Sequence, residues 1–435
     1  MSTVLAAMRR NTELGLMVMA GVLTAGAYTL AGLGRSASLP VNLVPFLLII
    51  LGLLAVAHVA TRRFAPSADG ILLPLAGLLN GVGYVFIARL DSDLAGLQAM
   101  WTAFGVGAFV ATLALIRRAR DIERFRYTFA LVGVGLLLLP LLPVIGRNIN
   151  GARLWVRIGT LTFQPGELAK IALCVFFASY LVEKQPLLAM GTRQVAGVWV
   201  PNVRHFGPIV LAWAFSLVVM FFEKDLGSSL LFFALFIVLL WVATARNIYL
   251  GIGALLFAGG AALAWTIFDH VKTRIDILMD PWSVATGAGY QTVQAMFAFA
   301  AGGLSGTNIS QGSPQRIPAV STDFIFAAIG EELGLLGTAA VLMAFMLMVG
   351  AGLRIALRVE SPFEKLLAAG LTAILGLQTF IILGGVTRLV PLTGITLPFV
   401  SYGGSSLISN YILLALLLRI SDDDRARVAQ GGVAA

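Results

Sequence analysis

Cysteine and histidine are scarce in this chain of 435 residues, which holds one cysteine, Cys174, and three histidines, His58, His205 and His270. A lone cysteine excludes both a disulfide within the chain and a cysteine cluster for metal. The histidines lie far apart in sequence and lack the spacing of metal ligands. The sequence therefore contains no histidine or cysteine motif that would indicate a metal site.

Charged residues are also few. They make up 12% of the chain, whereas hydrophobic residues make up 59%, and the mean hydropathy is +0.92. A soluble chain would hold roughly 25% charged residues. Apolar runs of about 20 residues recur along the whole length, as transmembrane helices require, and no alternation indicates a membrane barrel. The sequence thus predicts an all-α polytopic membrane protein.

We expect about twelve transmembrane helices in a single membrane domain over residues 1–435. A large extracytoplasmic loop is expected at about 269–323 and a short cytoplasmic tail at about 420–435. The approximate spans are 14–34, 41–61, 71–89, 98–117, 127–146, 167–184, 208–222, 227–245, 248–268, 324–352, 364–386 and 402–419.

Basic residues stand at the ends of alternate apolar segments. Arg9 and Arg10 precede the first, RRARDIERFR (117–126) follows the fourth, and Arg419, Arg425 and Arg427 follow the last. Because Lys and Arg favour cytoplasmic loops, this side is predicted to be cytoplasmic, with both termini inside. The net charge of +9 follows from this pattern and does not indicate nucleic-acid binding.

The stretch NGARLWVRIGTLTFQPGELAK (150–170) contains the first candidate constellation. Pro165 suits the first turn of a helix, and Glu167 and Lys170, three residues apart, then share a face. Lys170 and Arg153 are candidates to bind a phosphate. A purely structural ion pair between Glu167 and Lys170 is the alternative, and both interpretations remain open.

The stretch FFEKDLGSSL (221–230) places Glu223, Lys224 and Asp225 between apolar runs. Charges at membrane depth are costly and mark functional sites by default. Alternatively, Asp225 caps the following helix by accepting hydrogen bonds from its free N–H groups.

Two further stretches are candidates for the outer surface. In STDFIFAAIGEELGLLG (321–337), Asp323 stands at a helix start, and Glu331 and Glu332 are expected to face the interior and pair with Lys or Arg from another helix. The stretch GGVTRLVPLTGITLPFVSYGGSS (384–406) is rich in Gly, Pro, Ser and Thr, with Arg388 as its charge. We interpret it as a broken or re-entrant segment lining a cavity, with a plain turn as the alternative.

These stretches together resemble the FtsW/RodA/SpoVE (SEDS) family. The matching motifs, in the order of the family, are QPGELAK, EKDLGSSLL, GAGYQTVQA, STDFIFAAIGEELG and PLTGITLPFVSYGGSSL. The resemblance is strongest to RodA-like members of actinobacteria. It implies a core of ten helices plus two N-terminal ones, in the bacterial plasma membrane.

The resemblance implies a peptidoglycan glycosyltransferase that polymerises lipid II beside a class B penicillin-binding protein and among membrane lipids. Lys170, Arg153 and Lys224 would then bind the diphosphate, and the cofactor that this chemistry implies is a divalent cation, Mg or Mn. Glu167 would orient Lys170. The other substrate-binding candidates are Asp225, Tyr290, Gln291, Asp323, Ser401 and Ser405.

Members of the family usually carry an Asp-Pro a few residues before the GxGYQ element, and that aspartate is the proposed base. The aligned residue here is Val284, and the nearest acid is Asp280. Three alternatives remain open: Asp280 is the base, Asp323 or Asp225 acts instead, or the protein is a noncatalytic member that scaffolds a penicillin-binding protein. A flippase for lipid II is a further alternative.

Overall fold

The computed structural model describes residues 2–36, 43–143, 145–149, 152–159, 161–189, 193–195, 198–200, 214–215, 218–219, 222–223 and 225–431. Within these ranges, eleven helices are long and apolar enough to cross a membrane. The predicted all-α polytopic architecture is confirmed. The expected segment 208–222 lies mostly outside the described residues.

The helices are α1 (Ser2–Ser36), α2 (Leu43–Phe64), α3 (Leu72–Leu90), α4 (Ser92–Leu115), α5 (Arg126–Leu138), α6 (Gly166–Ala189), α7 (Leu226–Thr244), α8 (Ile248–Ile267), α9 (Asp269–Met279), α10 (Tyr290–Gly302), α11 (Ile325–Arg358), α12 (Pro362–Val386) and α13 (Gly404–Gly431). The strands are β1 (Gly146–Ile149), β2 (Ala152–Ile158), β3 (Leu161–Phe163), β4 (Arg193–Val195) and β5 (Val198–Val200).

The chain divides into two compact units, which are described separately. The first unit contains residues 1–118, 274–352 and 378–435, and the second contains residues 119–273 and 353–377. The expected loop at 269–323 is largely ordered, because α9 and α10 form within it.

The core of the first unit is built around α3 and α13. In the most apolar stretch of 18 residues of each helix, 72% of the residues are buried in α3 and 83% in α13, whereas 28% are buried in α1. Asn80 Nδ2 on α3 donates to the hydroxyl of the buried Tyr411 on α13 at 3.3 Å. Phe109 and Phe399 meet the Tyr411 ring edge-on. These contacts place the first turns of α13 against α3 in the interior of this unit, whereas the charged residues of α13 lie in its last part, from Arg419 onward.

A polar network joins both chain ends at one end of the first unit. Glu13 on α1 pairs with Arg10 and with His58 Nδ1 on α2, the latter at 2.7 Å. Arg425 on α13 donates to the Ser67 carbonyl at 3.0 Å and pairs with Asp69 at 3.1 Å. Arg10 also donates to the Ala68 carbonyl, next to the partners of Arg425, so the start of α1 and the end of α13 lie on the same side of this unit, as the predicted topology requires.

The second unit combines helices with a small antiparallel sheet of order β1-β2-β3. Gly146 pairs with Val156, and Val156 pairs with Phe163 on the other side. Its apolar core contains Leu137 of α5, Leu173 of α6 and Phe232 of α7. The sheet lies within the loop at 147–166. The chain therefore enters α6 directly from a hydrogen-bonded strand, β3, rather than from an irregular loop.

Candidate functional site

Asp280 lies in a hydrogen-bonded turn directly after α9. Its side chain is exposed, and its Oδ1 accepts a hydrogen bond from Trp282 N at 3.0 Å. The Ser283 hydroxyl donates to the Asp280 carbonyl at 2.9 Å. An aspartate that accepts from the backbone two residues on commonly begins a turn. Asp280 therefore has a structural role, and its exposure also leaves the carboxylate accessible.

Val284 occupies the position where the family's usual aspartate is expected. Its carbonyl accepts hydrogen bonds from Gly287 N and Gly289 N, both at 3.0 Å. A Cβ added to Gly289 would lie 3.0 Å from Val284 Cγ2, so the valine packs against the end of the turn. The turn is thus fixed by its own bonds, which hold Asp280 at the start of it.

Arg388 joins the segment after α12 to the end of α9. Its Nη2 donates to the Leu278 carbonyl at 2.8 Å and to the Met279 carbonyl at 3.4 Å. The last carbonyls of a helix lack partners within the helix, and a cation there is favourable. Arg388 has φ 62°, in the left-handed region that is uncommon for residues other than glycine. The arginine therefore fixes the backbone immediately before Asp280.

Asp323 and Arg274 both lie next to Gly394. A Cβ on Gly394 would stand 3.6 Å from Asp323 Oδ2 and 4.0 Å from Arg274 Nη2. Gly394 has φ 75°, a backbone conformation that favours glycine at this position. Arg274 also donates to the Leu392 carbonyl. No sequence motif marked Arg274, because its partners are distant in sequence.

The pKa of Asp323 is raised to about 6, because burial disfavours the charged carboxylate; hydrogen bonding to the Thr322 side chain and the charge of Arg274 oppose this effect. The side chain is partly buried. A carboxyl group of this kind is mainly ionised at neutral pH yet binds protons more readily than an exposed aspartate. It suits acid–base chemistry.

Residues 387–403 form no regular helix, as the predicted broken segment requires. The Ser401 hydroxyl accepts from Leu397 N at 2.9 Å and donates to the Thr322 carbonyl. Ser405 is buried in the first turn of α13. Ser401 therefore holds the segment beside the residue that precedes Asp323, and substrate binding by either serine stays a prediction.

Tyr290 and Gln291 open α10. Tyr290 is exposed and Gln291 is partly buried. Tyr290 N donates to the Gly287 carbonyl at 3.1 Å, so the helix starts from the same turn that begins at Asp280. Their contact with a substrate stays a prediction.

In the second unit, Lys170 Nζ lies 2.6 Å from Glu167 Oε2 on the first turns of α6. Both side chains are buried, so the predicted shared face and the ion pair are present. Removing one partner of a buried pair leaves an uncompensated charge, which is strongly destabilising. Arg153 is exposed on β2. Whether Lys170 and Arg153 bind one phosphate stays a prediction.

Asp225 caps α7, because its Oδ1 accepts a hydrogen bond from Ser228 N at 2.9 Å. The capping role given as the alternative for Asp225 is therefore present. Lys224 lies outside the described residues. Since Glu167, Lys170 and Asp225 belong to the second unit and Asp323 to the first, their convergence on one substrate stays a prediction.

Glu331 and Glu332 face the interior, as expected. Glu332 Oε1 lies 2.6 Å from Arg89 Nε at the end of α3, and Glu331 Oε1 accepts a hydrogen bond from Ser313 N at 2.6 Å. The basic partner expected from another helix is present for Glu332, as Arg89, whereas Glu331 bonds a backbone N–H group instead. Among the described residues, no group of three or more His, Cys, Asp or Glu is arranged to hold a metal ion.

A family model described as "Cell cycle protein", FTSW_RODA_SPOVE, matches residues 85–426, so α1 and α2 precede the match. The chain is 44% identical to the peptidoglycan glycosyltransferase RodA of Mycobacterium tuberculosis over 428 residues, which cover 96% of this chain and 91% of that protein. The expected likeness to actinobacterial RodA-like members is confirmed.

Two solved structures share the fold. One, described as showing the structural coordination of polymerization and crosslinking by a peptidoglycan synthase complex, has a TM-score of 0.67 and 27% identity, covering 82% of this chain and 98% of that one. The rod shape determining protein RodA of Thermus thermophilus has a TM-score of 0.58 and 26% identity, covering 82% of this chain and 97% of that one. Together with the arrangement of the motifs, these matches show that the chain belongs to the FtsW/RodA/SpoVE family.

Proposed function

We propose that the chain is a peptidoglycan glycosyltransferase that polymerises lipid II at the outer face of the bacterial plasma membrane. The proposal is supported by the RodA relative, which is named a peptidoglycan glycosyltransferase. The observation that carries it is the pair Asp323 and Arg274 beside the non-helical segment 387–403, to which Arg388 ties the end of α9 just before Asp280. Both termini are then cytoplasmic, as the distribution of Lys and Arg favours.

The reaction needs a base and a means of stabilising the leaving group. The acceptor sugar hydroxyl attacks the anomeric carbon of the donor, its proton passes to a carboxylate, and the bond from that carbon to the diphosphate oxygen breaks. The diphosphate leaves with the electron pair, and nearby cations favour this developing charge. Arg274 is the proposed cationic contact in the first unit. For the second unit, phosphate binding by Lys170 and Arg153 stays the prediction made from the sequence.

Asp323 has the stronger support as the base. Its pKa of about 6 is closer to neutral pH than that of an ordinary aspartate, which improves a general base. Asp280, the base expected from the sequence, is the second candidate, because its carboxylate is exposed. Mg²⁺ is usually held by one or two carboxylates together with substrate phosphates. If the reaction uses Mg or Mn, Asp280 is its proposed protein ligand.

The experiment that identifies the base measures strand formation from lipid II by two purified variants, Asp323→Asn and Asp280→Asn. Loss of the base is expected to lower the rate by about a hundredfold or more. The matched control is Asp276→Asn, an exposed aspartate on α9 whose backbone carbonyl accepts from Asp280 N at 2.8 Å. Full activity of both Asp323→Asn and Asp280→Asn would remove both residues from the reaction.

We also propose that the chain works with a class B penicillin-binding protein. The structural relative described as a complex for polymerization and crosslinking supports this pairing. The alternative function, a noncatalytic scaffold for such a partner, is favoured by one observation, the valine at position 284. A flippase for lipid II would differ from both by moving labelled lipid II across a liposome membrane without forming strands.

A further inference from the structure

A polar cavity lies at the ends of α1 and α3, on the side of the first unit that is predicted to be extracytoplasmic. Its volume is about 360 Å³, and it is lined by Arg35, Arg89, Leu90, Ser310, Gly312 and Gln315. Small-molecule sites usually have volumes of about 300–1,000 Å³. None of the roles proposed above uses these residues.

The wall of the cavity depends on α1, which precedes the residues matched by the family. The Ser310 hydroxyl donates to the Ala31 carbonyl and Gln311 Nε2 to the Gly34 carbonyl, both at 2.9 Å. A Cβ on Gly34 would lie 2.5 Å from the Ile309 carbonyl oxygen, so only glycine permits this approach. Loop side chains thus cap the end of α1 and hold its last turn against the cavity.

The floor of the cavity is fixed by Arg89. Its Nε pairs with the buried Glu332 at 2.6 Å, and its Nη2 donates to the Gly312 carbonyl at 2.9 Å. Its Nη1 donates to Gln315 Oε1 at 3.2 Å. Because the amide oxygen of Gln315 is engaged, its NH₂ group is the end left to donate to a ligand.

Arg35 supplies the charge at the rim. It is exposed in the last turn of α1, and among the described residues no acidic side chain lies within ion-pair distance of it. Arg89 differs, because Glu332 already balances its charge. A guanidinium binds a phosphate through a pair of parallel N–H donors. The exposed Leu30 and Leu33 precede Arg35 on α1 and offer an apolar surface beside it.

We propose that this cavity binds the phosphate of a lipid headgroup, with Arg35 and the Gln315 amide as donors and the apolar face of α1 beside the lipid tail. A basic site at the end of an apolar transmembrane helix matches an anionic amphiphile. Two sources share this chemistry, a phospholipid and a polyprenyl diphosphate. The inference concerns binding and does not rest on the proposed reaction.

Native mass spectrometry of the full-length protein tests the site with three probes: phosphatidylglycerol, a polyprenyl diphosphate and inorganic pyrophosphate. We expect Arg35→Gln to weaken binding of one of the two lipids by about tenfold, the effect of losing one charge-assisted hydrogen bond. The lipid that responds identifies the source. Arg35→Glu is expected to weaken binding further, because it adds a repulsive charge.

The matched control is Arg63→Gln, which changes an exposed arginine in the last turn of α2. It is expected to leave the affinity unchanged, because α2 ends on the opposite predicted side. If Arg63→Gln weakened lipid binding as much as Arg35→Gln, the loss would reflect a general attraction between basic residues and anionic lipids, and not a site at Arg35. That result, unchanged binding in Arg35→Gln, or an Arg35-dependent response to inorganic pyrophosphate alone would each overturn the proposal.

Discussion

Asp323 combines a carboxylate, partial burial and a neighbouring cation at one position of the first unit. Burial raises its pKa to about 6, and Arg274 limits the rise. This balance keeps the carboxylate ionised at neutral pH while leaving it able to accept a proton. Asp280, by contrast, is exposed and accepts a hydrogen bond from Trp282 N. Asp323 is therefore suited to act as the base, and Asp280 to bind a metal ion if the reaction uses one.

We expect the rate of strand formation to fall below about pH 6, by about tenfold per pH unit, because only ionised Asp323 accepts the proton. Asp323→Glu should keep activity but shift the midpoint of this fall. An unchanged midpoint in that variant would assign the titration to another group. The measurement is the pH profile of the initial rate.

The same pKa has a consequence for stability. The pKa of folded Asp323 lies above its unfolded value of about 3.8, so the protonated form stabilises the fold at low pH. This stabilisation is lost as the pH rises through about 6. Replacement by the uncharged Asn should therefore not lower the melting temperature at pH 7, which separates loss of activity from loss of folding.

Contacts close in sequence were predictable at this scale, and distant ones were not. The pairing of Glu167 with Lys170 follows from helical spacing, and the cap formed by Asp225 follows from its place before an apolar run. The interior position of Glu332 followed from its depth in a helix, but its partner Arg89 lies on a helix far away in sequence. No local pattern specifies such a partner.

Among the elements, α9 and the segment 387–403 are tied together by two arginines. One arginine lies on each element and bonds carbonyl groups of the other. Arg388 of the segment binds the last carbonyls of α9, and Arg274 of α9 binds the Leu392 carbonyl of the segment. We interpret this exchange as a clamp that sets the position of Asp280. Arg388 is then a positioning residue.

We expect Arg388→Ala to lower kcat roughly a hundredfold with little change in KM, since a small displacement near the reacting groups has an effect of that size. Arg388→Lys should restore part of the rate, because it can still donate to one carbonyl. The control is Arg316→Ala, which removes an exposed arginine from the same unit. If both alanine variants behave alike, the clamp has no role in positioning.

The absence of helix in residues 387–403 was predictable from their glycines, prolines and hydroxyl residues, whereas the cavity that they were expected to line stays a prediction. The strands β1 to β3 were not predictable, because the interval between β1 and β3 also contains glycines and arginines that suit an irregular loop. Helices α9 and α10 were likewise missed within the long loop. Their sequences lack the long apolar runs by which membrane helices were recognised.

At the scale of the whole molecule, the fold class followed from apolar runs and sparse charge, since a bilayer requires every span to satisfy its own backbone. The contact between α1 and residues 309–311 could not be predicted from the sequence. The groups of α1 that accept these hydrogen bonds are backbone carbonyls, which every sequence possesses. Family membership came from motifs spread along the chain.

The most direct test is strand formation from lipid II by the wild-type protein and its class B penicillin-binding protein, in liposomes without another glycosyltransferase. We expect strands from the wild type and none from the double variant Asp280→Asn/Asp323→Asn. A wild type that is inert, together with a Val284→Asp variant that forms strands, would contradict the account and identify the natural chain as a noncatalytic member.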